Sequence, residues 1–279
     1  MNAPSRVEIT SFPQGKRMAL TTSFDDGHVH DRKIVRAFNE WGLKATFNLN
    51  SGTLGKTGRA APDDHKSHLD SSEIAGLFQG HEVAIHTVTH PFLQRLDASQ
   101  IAREVLEDRI ALEDLVGYPV RGMAYPFGAY NQQVIEILRQ LGVRYCRGVG
   151  NGGIGFPPPE PLNWNPTAHQ YESVAELFEK YYGDERHSGV FYIWGHGYEF
   201  ENGRDWAGLE RIYKPLSGRP DIWYCTNIEL FDYEDARQRL LIAANRATVY
   251  NPSSQPVTIK VDGKLMDVPP GKLLTLAAA

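Results

Sequence analysis

Residues 18–49 read MALTTSFDDGHVHDRKIVRAFNEWGLKATFNL, and this stretch decides the fold. Met18–Phe24 is a short apolar and β-branched run of strand length. Asp31–Trp41 has helical character and is closed by Gly42, a residue that accepts the left-handed conformation at helix ends. Ala45–Leu49 is again a strand. Strand, helix and strand in this order form a crossover unit, which builds a parallel sheet.

The same alternation continues outward. Asp70-Ser-Ser-Glu73 has capping-box chemistry and opens a short helix to Gln79, followed by a strand at Glu82–His86. Asp97-x-x-Gln100 opens a long helix in which Ile101, Val105, Leu112, Leu115 and Val116 fall on one stripe, with Gly117 as its stop. Further strands are expected at Gly122–Tyr125, Arg144–Arg147, Val190–Trp194 and Ile222–Tyr224. Helices are expected at Gln132–Leu141, Ser173–Tyr182, Gly208–Lys214 and Asn227–Asn245, and a Gly/Pro-rich loop at Gly148–Pro161. About seven such units predict an α/β fold, a distorted (β/α) barrel of parallel strands over residues 1–245. An open doubly wound sheet is the alternative, and the lack of a glycine-rich dinucleotide fingerprint after the first strand speaks against it. From Arg246 the period changes to two. Val257, Ile259 and Val261, then Asp262-Gly263, then Lys264–Val268 predict a tight hairpin. Residues 246–279 are read as a small β appendage covering the barrel bottom or an edge.

Composition narrows the function classes. Of 279 residues, 41% are hydrophobic and 23% charged, an ordinary globular balance. A net charge of −5 argues against a nucleic-acid partner, which needs a basic surface. The N-terminus has no apolar signal region and the chain has no apolar run of spanning length, so no membrane span is expected and cytoplasm is the default location. Cys146 and Cys225 form no C-x-x-C pair and read as two buried free thiols.

Chemistry in a parallel barrel sits at the C-terminal strand ends. Three of the expected strands end in titratable clusters: Asp25-Asp26-Gly27, His86-Thr87-Val88-Thr89-His90 and Gly195-His196-Gly197. Two imidazoles and a carboxylate can hold a divalent metal with positions left for water and substrate. His86 and His90 are four apart, so one helical turn would aim both at one point, and one aspartate would complete the set while the other serves as base. His28 and His30 are close to Asp25-Asp26 and are candidate alternative ligands, His169 is a candidate groove residue, and residues 63–68 read as a solvated loop.

The segments SFDDG, GHEVAIHTVTHP, AYPFGAYN and IWGH, in this order, resemble carbohydrate esterase family four, the polysaccharide deacetylases, over roughly residues 17–235. The resemblance implies Asp25 as catalytic base, Asp26, His86 and His90 as metal ligands, and His196 as catalytic acid. It also implies that the Phe127 amide in Pro126-Phe127-Gly128 holds the oxyanion and that Trp164 walls the substrate groove. Zinc is the implied metal, with cobalt, nickel or manganese as substitutes, and an acetylated carbohydrate the implied substrate. Tyr125, Pro126 and Tyr198 are further candidate groove residues. Two positions depart from the family pattern. Ala124 stands where many members carry an arginine that orients the base, with Arg121 as a candidate substitute. Asn163 stands where an aspartate often tunes the histidine, with Glu199 as a candidate substitute. Other readings are an amidase for a small amide, a non-haem iron oxygenase and a non-catalytic sugar-binding protein. The paired aspartates oppose the oxygenase, and the full set of five polar residues opposes a mere binding role.

Overall fold

The computed structural model describes residues 6–56, 67–202 and 205–276. In chain order the strands are β1 (Val7–Ile9), β2 (Met18–Asp25), β3 (Thr46–Leu49), β4 (Glu82–Ile85), β5 (Gly122–Ala124), β6 (Tyr145–Arg147) and β7 (Ala168–His169). They continue with β8 (Gly189–His196), β9 (Ile222–Tyr224), β10 (Leu241–Ile242), β11 (Thr248–Tyr250), β12 (Val257–Val261), β13 (Lys264–Val268) and β14 (Leu273–Thr275). The helices are α1 (Asp31–Trp41), α2 (Ile74–Leu77), α3 (Ala98–Val116), α4 (Gln132–Gln140), α5 (Val174–Tyr182), α6 (Gly197–Asn202), α7 (Trp206–Tyr213) and α8 (Asn227–Gln238).

Every residue of β2 is buried, and the strand organises a parallel sheet of order β6-β5-β4-β3-β2-β8-β7. Burial on both faces explains why Met18–Asp25 is a continuous run without alternation. β2 runs its whole length against β8. On its other side Met18–Leu20 pair with β9 and Ser23–Asp25 pair with β3. The segment after β6 completes the ring: Trp164 bridges to Arg147 on one side, and β7 pairs with β8 on the other. The expected distorted barrel is therefore present. Phe24 packs against Phe38 of α1 and Phe47 of β3, each ring 5.7 Å away, which locks the first strand–helix–strand unit.

The expected caps set helix ends. Asp97 and Gln100 form a reciprocal capping box at α3, and Gly117 closes it with φ of 75°. Gly42 closes α1 with φ of 68°. The last helix is shorter than expected: α8 ends at Gln238, and Leu241–Ile242 then pair antiparallel with β11. Beyond it lie two three-stranded antiparallel sheets, β1-β12-β13 and β10-β11-β14. Asp262 and Gly263 both have positive φ, as a two-residue hairpin turn requires. Val249, Val257, Ile259 and Val268 from these strands pack with Tyr233 and Ala236 of α8 and with Trp223 of β9. No helix among the described residues is long and apolar enough to cross a membrane.

Candidate metal and catalytic site

Asp25 ends β2 level with Asn48 of β3 and His196 of β8. Side chains at one level of adjacent strands point to the same side, so register alone gathers these groups. Asn48 Nδ2 donates to Asp25 Oδ1 at 2.8 Å, and Arg147 Nη2 donates to Asp25 Oδ2. Burial pushes this carboxyl up, but the charge of Arg147, aided by His86 and His196, holds it well below the usual carboxylate range. Arg147 ends β6 level with Ala124 of β5 and is itself buried. Its guanidinium lies 4.5 Å from the centre of the Trp194 ring and donates to the Gly148 carbonyl at 3.3 Å. The expected substitute, Arg121, lies elsewhere. It forms a two-point ion pair with Asp232 at 2.8 and 2.7 Å, on α8, and does not line the cavity around Asp25. The alternation of side chains along β5 explains this, since Arg121 precedes the strand at its opposite end.

Asp26 takes a positive φ of 77°, with its N–H donated to the Asn48 carbonyl at 3.0 Å. Its Oδ1 lies 3.5 Å from His86 Nε2 and 3.6 Å from His90 Nε2. His86 Nδ1 is 2.8 Å from the Ala124 carbonyl, which only accepts, so Nδ1 carries the proton and the Nε2 lone pair faces Asp26. This tautomer is the one a metal needs, and a fixed outer partner is typical of metal-binding histidines. The donor set of Asp26, His86 and His90 therefore fits a divalent cation.

A loop, and not the expected helical turn, brings the two histidines together. Thr87 and His90 have φ of 70° and 58°. Thr87 Oγ1 accepts the His90 N–H at 3.1 Å, and Asn50 Nδ2 donates to the carbonyls of His86 and Thr87 at 2.5 and 2.9 Å. Asp108 of α3 supports the loop from outside, accepting N–H groups from His86 at 3.0 Å and Ser51 at 2.7 Å. Asp26, Thr87, His90 and Phe127, all non-glycine residues at positive φ, gather at this one place. Such conformations cost energy and persist only where surrounding contacts impose them.

His196 Nε2 lies 4.0 Å from Asp25 Oδ2 and 3.9 Å from Asp26 Oδ2. Its Nδ1 is 3.1 Å from Glu199 Oε1. Burial lowers the affinity of this imidazole for a proton, but the Glu199 hydrogen bond and the two aspartate charges outweigh it and shift it upward. Glu199, the candidate substitute for the aspartate missing at Asn163, is therefore in hydrogen-bond contact with His196. Gly195 has a packing reason: a Cβ there would meet the Gln170 side chain at 2.3 Å, and Gln170 Nε2 donates to the His196 carbonyl at 3.0 Å and to Glu199 at 2.5 Å.

These groups open into a cavity of about 700 Å³. Phe127, Val149, Tyr171, Trp194 and Tyr198 line it with apolar surface, and the Phe127 ring stacks on Phe92 at 3.9 Å. Tyr125 reaches the wall but is buried, with its hydroxyl donated to the Leu162 carbonyl at 2.7 Å. Pro126 and Trp164 are not wall residues. Pro126 is buried under the turn. Trp164 points into the core, with ring centres 4.4 Å from Tyr192 and 5.2 Å from Phe231, and Trp194 supplies the indole at the cavity. His28 stacks on His68 at 4.4 Å and meets Tyr198 edge-on, outside the Asp26 group, as is His30. Residues 63–66 of the loop read as solvated lie outside the described residues, and Ser67 beyond them is buried.

Sequence reading missed Arg147, Asn48 and Asp108. Each had a signal. Arg147 and Asn48 are polar residues within strands, and Asp108 falls on the apolar stripe of α3 with Ile101, Val105 and Leu112.

The strand ends thus bring together a group of side chains that could hold a divalent cation, and known proteins share parts of this sequence and fold. Residues 13–146 match the family model for polysaccharide deacetylase. The peptidoglycan-N-acetylglucosamine deacetylase PgdA of Listeria monocytogenes is 30% identical over 138 residues, covering 48% of this chain and 27% of that protein. A chitin deacetylase of Pestalotiopsis is 28% identical over 142 residues, 50% of this chain and 44% of that one. The chain thus spans less than half the length of these curated relatives. A Mycobacterium smegmatis structure assigned to the polysaccharide deacetylases superimposes with a TM-score of 0.62 over 85% of this chain and 96% of its own, at 16% identity.

Proposed function

We propose that this chain is a metal-dependent deacetylase that hydrolyses an acetamide on a carbohydrate. The observation that carries the reading is the division of labour between adjacent carboxylates. Asp25 is buried and held by Arg147 and Asn48, while Asp26 turns to His86 and His90. Two neighbouring carboxylates placed in such different surroundings suit one base and one ligand.

Asp26, His86 and His90 would hold the metal, with zinc the first choice for two imidazoles and one carboxylate. When bound, it supplies Lewis-acid polarisation of the acetyl carbonyl and acidifies a water. Asp25 removes a proton from the attacking water as the new C–O bond forms. Arg147 and Asn48 keep its carboxylate ionised and fixed for that transfer. The Phe127 amide, in a positive-φ turn whose ring lies 4.4 Å from His90, is assigned to the developing oxyanion. His196, protonated with Glu199 behind it, delivers its Nε2 proton to the amine as the C–N bond breaks. The products are acetate and a free amino sugar. Trp194, Tyr171 and Phe127 offer apolar faces on which sugar rings can stack.

The test is acetate release from acetylated chito-oligosaccharides, acetylxylan and peptidoglycan fragments, with and without chelator, beside Asp25→Asn. Chelator-sensitive release that the variant abolishes supports the reading. Metal binding without acetate release from any of these substrates would overturn it.

A further inference from the structure

Among the described residues, a second set of ligand-type atoms converges besides that of Asp26: His169, His196 and Glu199 each bring one to within 4.8 Å of the others. We propose that these three residues form a second, weaker site for a divalent cation of the zinc class, whose occupation disables His196. Two imidazoles and a glutamate are one of the ligand sets used by zinc. Bonds of about 2.0–2.1 Å in a tetrahedral arrangement place neighbouring ligand atoms about 3.3–3.4 Å apart. His169 Nε2 lies 3.3 Å from Glu199 Oε2, and His196 Nδ1 lies 3.1 Å from Glu199 Oε1. Each imidazole faces its own oxygen of the Glu199 carboxylate at close to that spacing, whereas in the Asp26 group both imidazoles face one oxygen, at 3.5 and 3.6 Å.

The site is built from separate elements that meet here. His169 ends β7, His196 ends β8, and Glu199 lies in α6. Gln170 Nε2 and the His196 N–H hold Glu199 Oε2 at 2.5 and 3.2 Å, so the carboxylate is fixed between the two rings. His169 and His196 both line the cavity that holds the Asp26 group, so a cation in solution reaches both sets by one route.

Weaker binding follows from what must be displaced. A cation on His196 Nδ1 replaces the proton now shared with Glu199. His169 must also move its proton from Nε2 to Nδ1, giving up the long 3.3 Å bond from the Tyr171 N–H. Metal binding here therefore competes with protons and with existing hydrogen bonds. The functional consequence rests on the deacetylase reading. With a cation on Nδ1, His196 keeps one proton on Nε2, and releasing it would leave an imidazolate, so the ring becomes a poor acid.

The experiment is a zinc titration of chelator-stripped, full-length protein, followed by elemental analysis and, with cobalt in place of zinc, by visible absorption. One tight and one weaker equivalent are expected in the native sequence, each adding tetrahedral cobalt absorption. His169→Gln should keep the tight equivalent and lose the weaker one, and Glu199→Gln should do the same. Acetate release should rise through the first equivalent and fall by about 10²-fold through the second, the share a positioned acid supplies. Two equivalents with one lost in His169→Gln, but no acetate release at all, would retain this site and remove the deacetylase reading. A single equivalent in the native protein overturns the proposal, as does a second equivalent that persists in both folded variants.

Discussion

Arg147 stands directly beside Ala124, one strand over, at the same level of the sheet. The methyl side chain at Ala124 leaves room, and the guanidinium from β6 reaches the Asp25 carboxylate. The charge beside Asp25 thus arrives from the strand next to the one that carries Ala124. Arg147→Ala should lower kcat by about 10²-fold, the usual share of a positioned base. It should also destabilise the fold by about 3–5 kcal/mol, because Asp25 is left buried and unpaired. Returning an arginine one strand over, as Ala124→Arg with Arg147→Ala, should recover part of kcat. A folded double variant no faster than Arg147→Ala would argue against a positioning role.

Asp108 lies outside the cavity yet holds the backbone of His86 and Ser51. Asp108→Asn turns an amide donor toward one of these N–H groups. The tighter zinc equivalent should bind about 10–100-fold more weakly, as for other lost outer supports. Competition with a chromophoric chelator measures this. Unchanged affinity would show that the loop keeps its shape without the carboxylate.

Trp164 and Trp194 should separate cleanly. Trp164→Ala removes a buried indole from contact with Tyr192 and Phe231 and should cost about 3–5 kcal/mol in denaturant unfolding. Trp194→Ala removes a cavity wall and the ring over which Arg147 lies, so its main effect should fall on KM and kcat. The reverse pattern would restore Trp164 to the substrate wall.

Glu82, at the start of β4, is buried and accepts hydrogen bonds from Thr46 of β3, Tyr145 of β6 and the Ile228 N–H of α8. Burial, which outweighs those bonds, pushes its carboxyl up to about 7. The folded state therefore holds this proton more tightly than the unfolded chain. The resulting stabilisation is complete below the unfolded value near 4.5 and is lost as pH rises through about 7. Nearby His81 has the opposite sense, since burial lowers it to about 4, so its contribution falls away as pH drops below the unfolded 6.5. Comparison with Glu82→Gln isolates Glu82. The unfolding free energy of the native sequence minus that of the variant should fall by on the order of 3 kcal/mol between pH 4 and pH 8. A difference that stays flat would mean that Glu82 remains charged throughout.

The strand ends at Asp25-Asp26 and the histidine pair were legible because polar residues closing apolar runs are conspicuous. Arg147 was not, because Tyr145-Cys146-Arg147 is too short to show which side of the sheet its arginine faces, and only pairing with β5 decides that. Trp164 misled for a related reason. It lies in the broken stretch that closes the ring, where residue spacing no longer fixes direction. The expected helical turn between His86 and His90 failed because a four-residue spacing is equally served by a loop with two left-handed residues. Helix ends marked by capping boxes or glycine were legible, whereas the end of α8, which has neither a glycine nor a proline stop, was drawn several residues too long.

β1 lies antiparallel to β12, so the earliest described strand and the late hairpin share one sheet. Trimming the chain to its barrel would bare a row of backbone amides and carbonyls on whichever partner remained. Such an edge recruits strands from other molecules. A chain cut before the late hairpin would expose the side of β1 that β12 now covers, and is expected to be limited by its solubility before its catalysis.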